Sequence, residues 1–110
     1  MSADVCIVYF GLRYEIAENE IDRLEEQSDP RVIAARKVGL RAYSGNFSDQ
    51  SPRYLLFIGK EITKLGPENN LEFSYDKVEL ASVIDKTILQ LEESGLKGNP
   101  KLYIQWESDT

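Results

Sequence analysis

In the stretch VCIVYFGLRYEI, residues 5–16, every even position is apolar: Cys6, Val8, Phe10, Leu12, Tyr14 and Ile16. A period of two marks a β-strand with one face turned to a core. The odd positions change character midway, from Val5, Ile7 and Tyr9 to Gly11, Arg13 and Glu15. Such a strand needs apolar cover on both sides of its first half and on one side of its second. It also runs well past the usual five or six residues, so Gly11 is expected to be a bulge or bend dividing the run.

Further along, helix and strand signals alternate. Asn19 can cap a helix with Glu20 and Asp22 in its first turn, where the helix dipole favours acids, and with Ile21 and Leu24 facing inward. SDPRVIAARKVG restarts the helix, with Asp29 as cap, Pro30 at the first helical position, Arg36 and Lys37 in the last turn and Gly39 as a left-handed stop. The spacing allows one kinked helix or two. LRAYSGNF and RYLLFIGKEI read as strands joined by the turn SDQSP. TKLGPENNLEFS is polar loop around a short strand at 71–73. The next helix is capped by Asp76, with Glu79 completing a capping box and with Tyr75 and Leu80 in hydrophobic-staple positions. Leu80, Val83, Ile84, Ile88 and Leu91 form its inward stripe, and Gly95 with Leu96 closes it as a Schellman motif over Leu91. Glu92 and Glu93 sit in the last turn, where the dipole disfavours acids. KLYIQWE is the last strand, with Leu102, Ile104 and Trp106 on one face, and Trp106 is expected in the core.

Strand, helix, strand, strand, helix, strand, with right-handed crossovers, predicts one α+β domain over residues 1–110. The expected fold is a ferredoxin-like βαββαβ two-layer sandwich with an antiparallel sheet of order 4-1-3-2 and helices on one face. The even face of the first strand then meets the helices. Its odd face, Val5, Ile7 and Tyr9, looks out the other side. Tyr103 joins it, with one of Leu55/Phe57 or Leu56/Ile58, and Tyr43 or Phe47. An apolar face of that size needs cover, either from residues 62–73 folding beneath the sheet or from a second copy or another partner.

The chemistry available is narrow. With no histidine in the chain, Ser–His and Cys–His nucleophiles are excluded, as is almost every zinc or non-haem iron site. The single cysteine, Cys6, reads as a buried, inert thiol. IGKEIT lacks the upstream glycine and the Ser/Thr of a Walker loop, and PENN falls short of a calcium loop. Asn46-Phe47-Ser48 reads as a turn. RYLLFIGK keeps Arg53, Phe57 and Ile58 of an RNA-recognition strand but not its glycine or flanking aromatics. Acid pairs such as Glu18/Asp22 and Asp22/Glu26 read as a solvated helix face. No catalytic residue, cofactor or metal site is expected.

Charge is the remaining signal. The net charge is −6, which argues against a nucleic-acid partner. Residues 15–30 hold seven acids and one base, 31–64 seven bases and two acids, and 65–110 nine acids and four bases. No apolar run is long enough to span a membrane, the N-terminus has no basic leader, and the lone cysteine fits the cytoplasm. The reading is a small, non-catalytic cytoplasmic protein–protein interaction module whose partner is another protein or a second copy of itself, as a homodimer. An inhibitor or immunity-type protein for a basic partner is one form. The expected contact residues are Ile7, Tyr9, Tyr43 and Tyr103 on the sheet face, and Glu18, Asp22, Glu25, Glu26 and Asp29 on the acidic helix face. The alternative is a dimeric domain sensing a small ligand, in a cleft lined by Gly11, the turn after the third strand and GLKGNP. A carboxylate, Tyr or Lys enzyme has no support above background.

Overall fold

The computed structural model describes residues 4–46 and 53–107; Phe47, the turn at 48–52 and the Asn46-Phe47-Ser48 triplet's last two residues lie outside that set. Four strands, β1 (Val5–Glu15), β2 (Arg41–Asn46), β3 (Tyr54–Leu65) and β4 (Lys101–Glu107), form one antiparallel sheet of order β2-β3-β1-β4. Three helices, α1 (Ile21–Glu25), α2 (Pro30–Lys37) and α3 (Lys77–Ser94), complete a small α+β domain. The strand order is the expected one read from the other edge. No strand forms at 71–73.

The helix ends follow local chemistry, with two exceptions. Asp29 caps α2, its Oδ1 accepting from the Arg31 N–H at 2.9 Å. Gly39, at φ +81°, ends the same helix in a full Schellman motif: the Leu40 N–H reaches the Ala35 carbonyl and the Gly39 N–H that of Arg36. Asp76 and Glu79 exchange both capping-box bonds at the start of α3. Asn19, expected to be a cap, instead lies inside a 3₁₀ turn, Glu18–Glu20, whose entry is held by the Ala17 N–H donating to Glu20 Oε1. Gly95 is left-handed as expected, but the Schellman closure is altered. The Ser94 hydroxyl inserts itself, donating to the Leu91 carbonyl at 2.6 Å and accepting from the Leu96 N–H at 3.1 Å. The first helical region is two helices, separated where Gln27 adopts φ +60°.

Leu24, Val32, Ala35, Leu40 and Leu91 pack onto Leu12, Leu56 and Ile58, so all three helices cover the even face of the sheet. They cover only half of it. In α3 just Thr87 and Leu91 are buried; Val83, Ile84 and Ile88 are half-buried and Leu80 is exposed. The inward stripe expected from the 3.6-residue period therefore engages the sheet over its last turns only.

The odd face closes by a different device. β1 and β3 pair from Cys6–Leu65 to Glu15–Leu55, with a register slip between Val8 and Tyr9 that leaves Ile62 unmatched. This ribbon bends sharply. Lys64 lies seven positions beyond Phe57, about 23 Å along a straight strand, and Phe57 is the partner of Tyr43. Yet the Lys64 Nζ stands 5.7 Å from the Tyr43 ring. Glu107, paired with Val5 at the far end of β1, accepts from the Tyr43 hydroxyl at 3.0 Å. Opposite edges of the sheet thus meet over its odd face.

Gly11, expected as a bulge or bend, lies in the bent stretch but stays in register opposite Gly59; the register slip falls two residues earlier. A β-carbon on Gly11 would lie 2.2 Å from the Ile58 carbonyl oxygen, and one on Gly59 would lie 2.3 Å from that of Phe10. The two bare backbones let the central strands approach where they turn.

Candidate functional site

The concave face gathers the aromatic residues that the sequence pattern placed there. Ile7, Tyr9, Leu55 and Phe57 are buried, with Val5, Tyr43 and Tyr103 packed around them. The Tyr9–Phe57 and Phe57–Tyr103 rings meet edge to face, with centroids 5.0 and 6.1 Å apart. Arg13 lies 4.5 Å over the Tyr103 ring and donates to Gln105. Burial, and then the Glu107 carboxylate, push the Tyr43 hydroxyl up to about 12. Burial, and then Glu61, raise that of Tyr9, which donates to the Arg41 carbonyl at 3.5 Å. The expectation that Ile7 and Tyr9 are contact residues is corrected: they are buried within the chain, because the sheet curls over them. Residues 62–73 do not fold beneath the sheet as a separate layer, but Lys64, near the end of β3, reaches over this face. Residues 62–65 extend β3, Asn70 bridges beside Leu65, and Leu71 and Phe73 are exposed.

The uncovered apolar surface lies on the other, convex side. Trp106 pairs with Cys6, Ile104 with Val8, and Leu102 with Phe10. Leu102, Ile104 and Trp106 are 50, 67 and 56 % exposed, and Cys6, Val8 and Leu65 in the rows beside them are half-buried. Two expectations change here. Trp106 is a surface residue rather than core, and Cys6 is a free, partly accessible thiol rather than a buried one. Alternation shows that Leu102, Ile104 and Trp106 share a face; where α3 lies decides whether that face is covered.

The acidic helix face divides. Glu18, Asp22, Glu25 and Glu26 are exposed as expected. Asp29 is not available to a partner, being 0 % exposed. Arg31 donates to both of its oxygens, at 3.0 and 2.9 Å, and to Glu20 at 2.8 Å. The Arg31 guanidinium, helped by the Arg31 N–H, holds the Asp29 carboxyl below the usual range. The Ala17 N–H, helped by Arg31, does the same for Glu20. This corner is an internal ion network.

A groove of about 450 Å³ lies between α3 and the β2–β3 end of the sheet, among Gly39, Arg41, Lys60, Glu61, Tyr75, Ser82, Lys86 and Gln90. Arg41 faces Glu61 at 3.9 Å; Lys60 and Lys86 have no ion pair among the described residues. The lining expected for a ligand cleft lies elsewhere. Gly11 abuts Gly59, Gly98 packs on Leu12, and the Lys97 carbonyl accepts from the Tyr14 hydroxyl. No group of three or more metal-ligating side chains occurs among the described residues. No helix of the described residues is long and apolar enough to cross a membrane. Searches of protein-family models, curated proteins and solved structures found no match to this chain.

Proposed function

We propose that this chain is a non-catalytic association domain whose partner is a second copy of itself. The observation that carries this reading is the row of Leu102, Ile104 and Trp106, exposed on the convex side of an edge strand. Isolated exposed apolar residues are ordinary, but three in line on one strand, flanked by further apolar rows, are a docking surface. Strand order and element order support reading the fold as ferredoxin-like, and a reducing cytoplasmic setting suits the accessible Cys6 thiol.

Sedimentation equilibrium tests the association. A dimer is expected, with Trp106→Glu and Ile104→Glu shifting it to monomer while the circular dichroism spectrum is kept. Trp106 is the single tryptophan, so its emission reports the interface directly, moving to shorter wavelength as concentration rises. A monomer throughout the soluble concentration range, with emission independent of concentration, overturns the reading.

The groove supports a second reading, small-ligand sensing. Arg41, Lys60 and Lys86 line it with one carboxylate, Glu61, in a chain of net charge −6, and the volume suits a small molecule. Phosphate monoesters are the expected class. At a hundredfold excess over Kd a ligand adds about 2.7 kcal/mol, a melting-point rise of several degrees that Lys60→Gln/Lys86→Gln should abolish. No rise with any phosphate monoester tested would remove this reading.

A further inference from the structure

We infer that two copies join edge to edge along β4, antiparallel about a two-fold axis passing through Ile104. This rests on the reading that the partner is a second copy, and adds how the two meet. The strand KLYIQWE is complementary to its own reversal. In an antiparallel pair, directly opposed residues point to the same face. With the axis at Ile104, Leu102 lies opposite Trp106 of the partner subunit, and Ile104 opposite Ile104 of the partner subunit. Each apolar side chain of the convex row then packs its flank against its opposite number, and the convex surface continues from one copy into the other. On the concave side Lys101 lies opposite Glu107 of the partner subunit at both ends of the strand, a carboxylate that within each chain also accepts from the Tyr43 hydroxyl, and Tyr103 lies opposite Gln105 of the partner subunit.

Neighbouring registers lose this agreement. A slip of one residue sets Trp106 against Lys101 of the partner subunit and mixes the two faces. A slip of two sets Lys101 against Gln105 of the partner subunit, and leaves Glu107 opposite Asn99 of the partner subunit. The opposite slip of two keeps the faces and pairs Ile104 with Trp106 of the partner subunit, but it sets Glu107 against Tyr103 of the partner subunit, so only the register centred on Ile104 pairs Lys101 with an acid and Glu107 with a base among these residues. β4 is also one of the two edge strands of the sheet among the described residues, β2 being the other, so pairing removes one exposed edge from each copy. The contact is isologous and closes at two subunits.

Cross-linking and charge exchange test the register. In a Cys6→Ser background, Ile104→Cys places two thiols directly opposite, with Cα atoms about 4.5–5.5 Å apart, within disulfide range. Mild oxidation should convert most of the protein to a covalent dimer, whereas Leu89→Cys, exposed on α3, should cross-link little. Lys101→Glu or Glu107→Lys alone should each weaken self-association about tenfold, two like-charge pairs arising by symmetry. The double exchange should return to within about threefold of the parent. A dimer that neither cross-links through position 104 nor recovers on double exchange overturns edge pairing and leaves association by another surface. A parent protein that stays monomeric overturns the underlying reading as well.

Discussion

Gly59→Ala is expected to cost at least about 3 kcal/mol, placing it in the tail of single-substitution effects. The added β-carbon would sit 2.3 Å from the Phe10 carbonyl oxygen and 2.8 Å from the Gly11 Cα. Both are backbone atoms of the neighbouring central strand, which cannot swing aside as a side chain would. The ribbon must part where it bends, and the concave cluster of Ile7, Tyr9, Leu55 and Phe57 opens with it. Gly95→Ala is the control. Gly95 also has a positive φ, +77°, but nothing lies within 4 Å of its added carbon. It should lose only the conformational cost, about 1 kcal/mol. Urea denaturation midpoints, taken at one dilute protein concentration, measure both. Equal losses in the two variants would show that the strands are not in close approach.

Asp29→Ala is expected to cost about 3 kcal/mol or more. It removes the α2 cap, worth about 1 kcal/mol, and both hydrogen bonds from the Arg31 guanidinium to Asp29, leaving that group with Glu20 alone; hydrogen bonds to charged groups are worth about 1.5–3 kcal/mol each. Asp29→Asn, which keeps an oxygen for the Arg31 N–H but loses the charge, should fall between Ala and the parent. The carboxyls of Asp29 and Glu20 are held below their ordinary values. Groups lowered in this way stabilise the fold fully above the unfolded range, near about 4, and lose that contribution as the pH falls through their folded values. The stability gap between the parent and Asp29→Asn should therefore be constant near neutrality and narrow as the solution is acidified below about 4. A gap that widens with acid would contradict the ion network.

Signals confined to a few residues carried over from sequence to structure. Asp29, Asp76 with Glu79, and Gly39 each satisfy backbone groups within one turn, and the structure shows each bond. Asn19 failed because Glu20, one position away, reaches back to the Ala17 N–H and holds the chain in a 3₁₀ turn. Ser94 entered the α3 terminus because its hydroxyl competes for the same carbonyl as the Leu96 N–H. Long-range facts were less legible. The need for Gly11 is explained by Gly59, which lies 48 positions later. The exposure of Trp106 depends on how far α3 extends over the sheet, while strand periodicity reports only that three side chains agree in direction. Asp29 carried two readings, a cap and a member of an acidic surface; Arg31 excluded the second by closing over it. The self-complementarity of KLYIQWE was present in the sequence from the start, but it acquired meaning only once β4 stood at an edge.

The position of β1 has a consequence for the newly made chain. Its neighbours are β3, whose first residue is Tyr54, and β4, which starts at Lys101. During synthesis this doubly apolar segment emerges early and waits while almost the whole domain is translated before its second flank is filled. Contacts of such wide sequence separation slow folding toward the millisecond-to-second range. Over that interval Ile7 and Tyr9 lack the cover they have in the finished fold, and transiently exposed apolar surface of this kind is prone to aggregate.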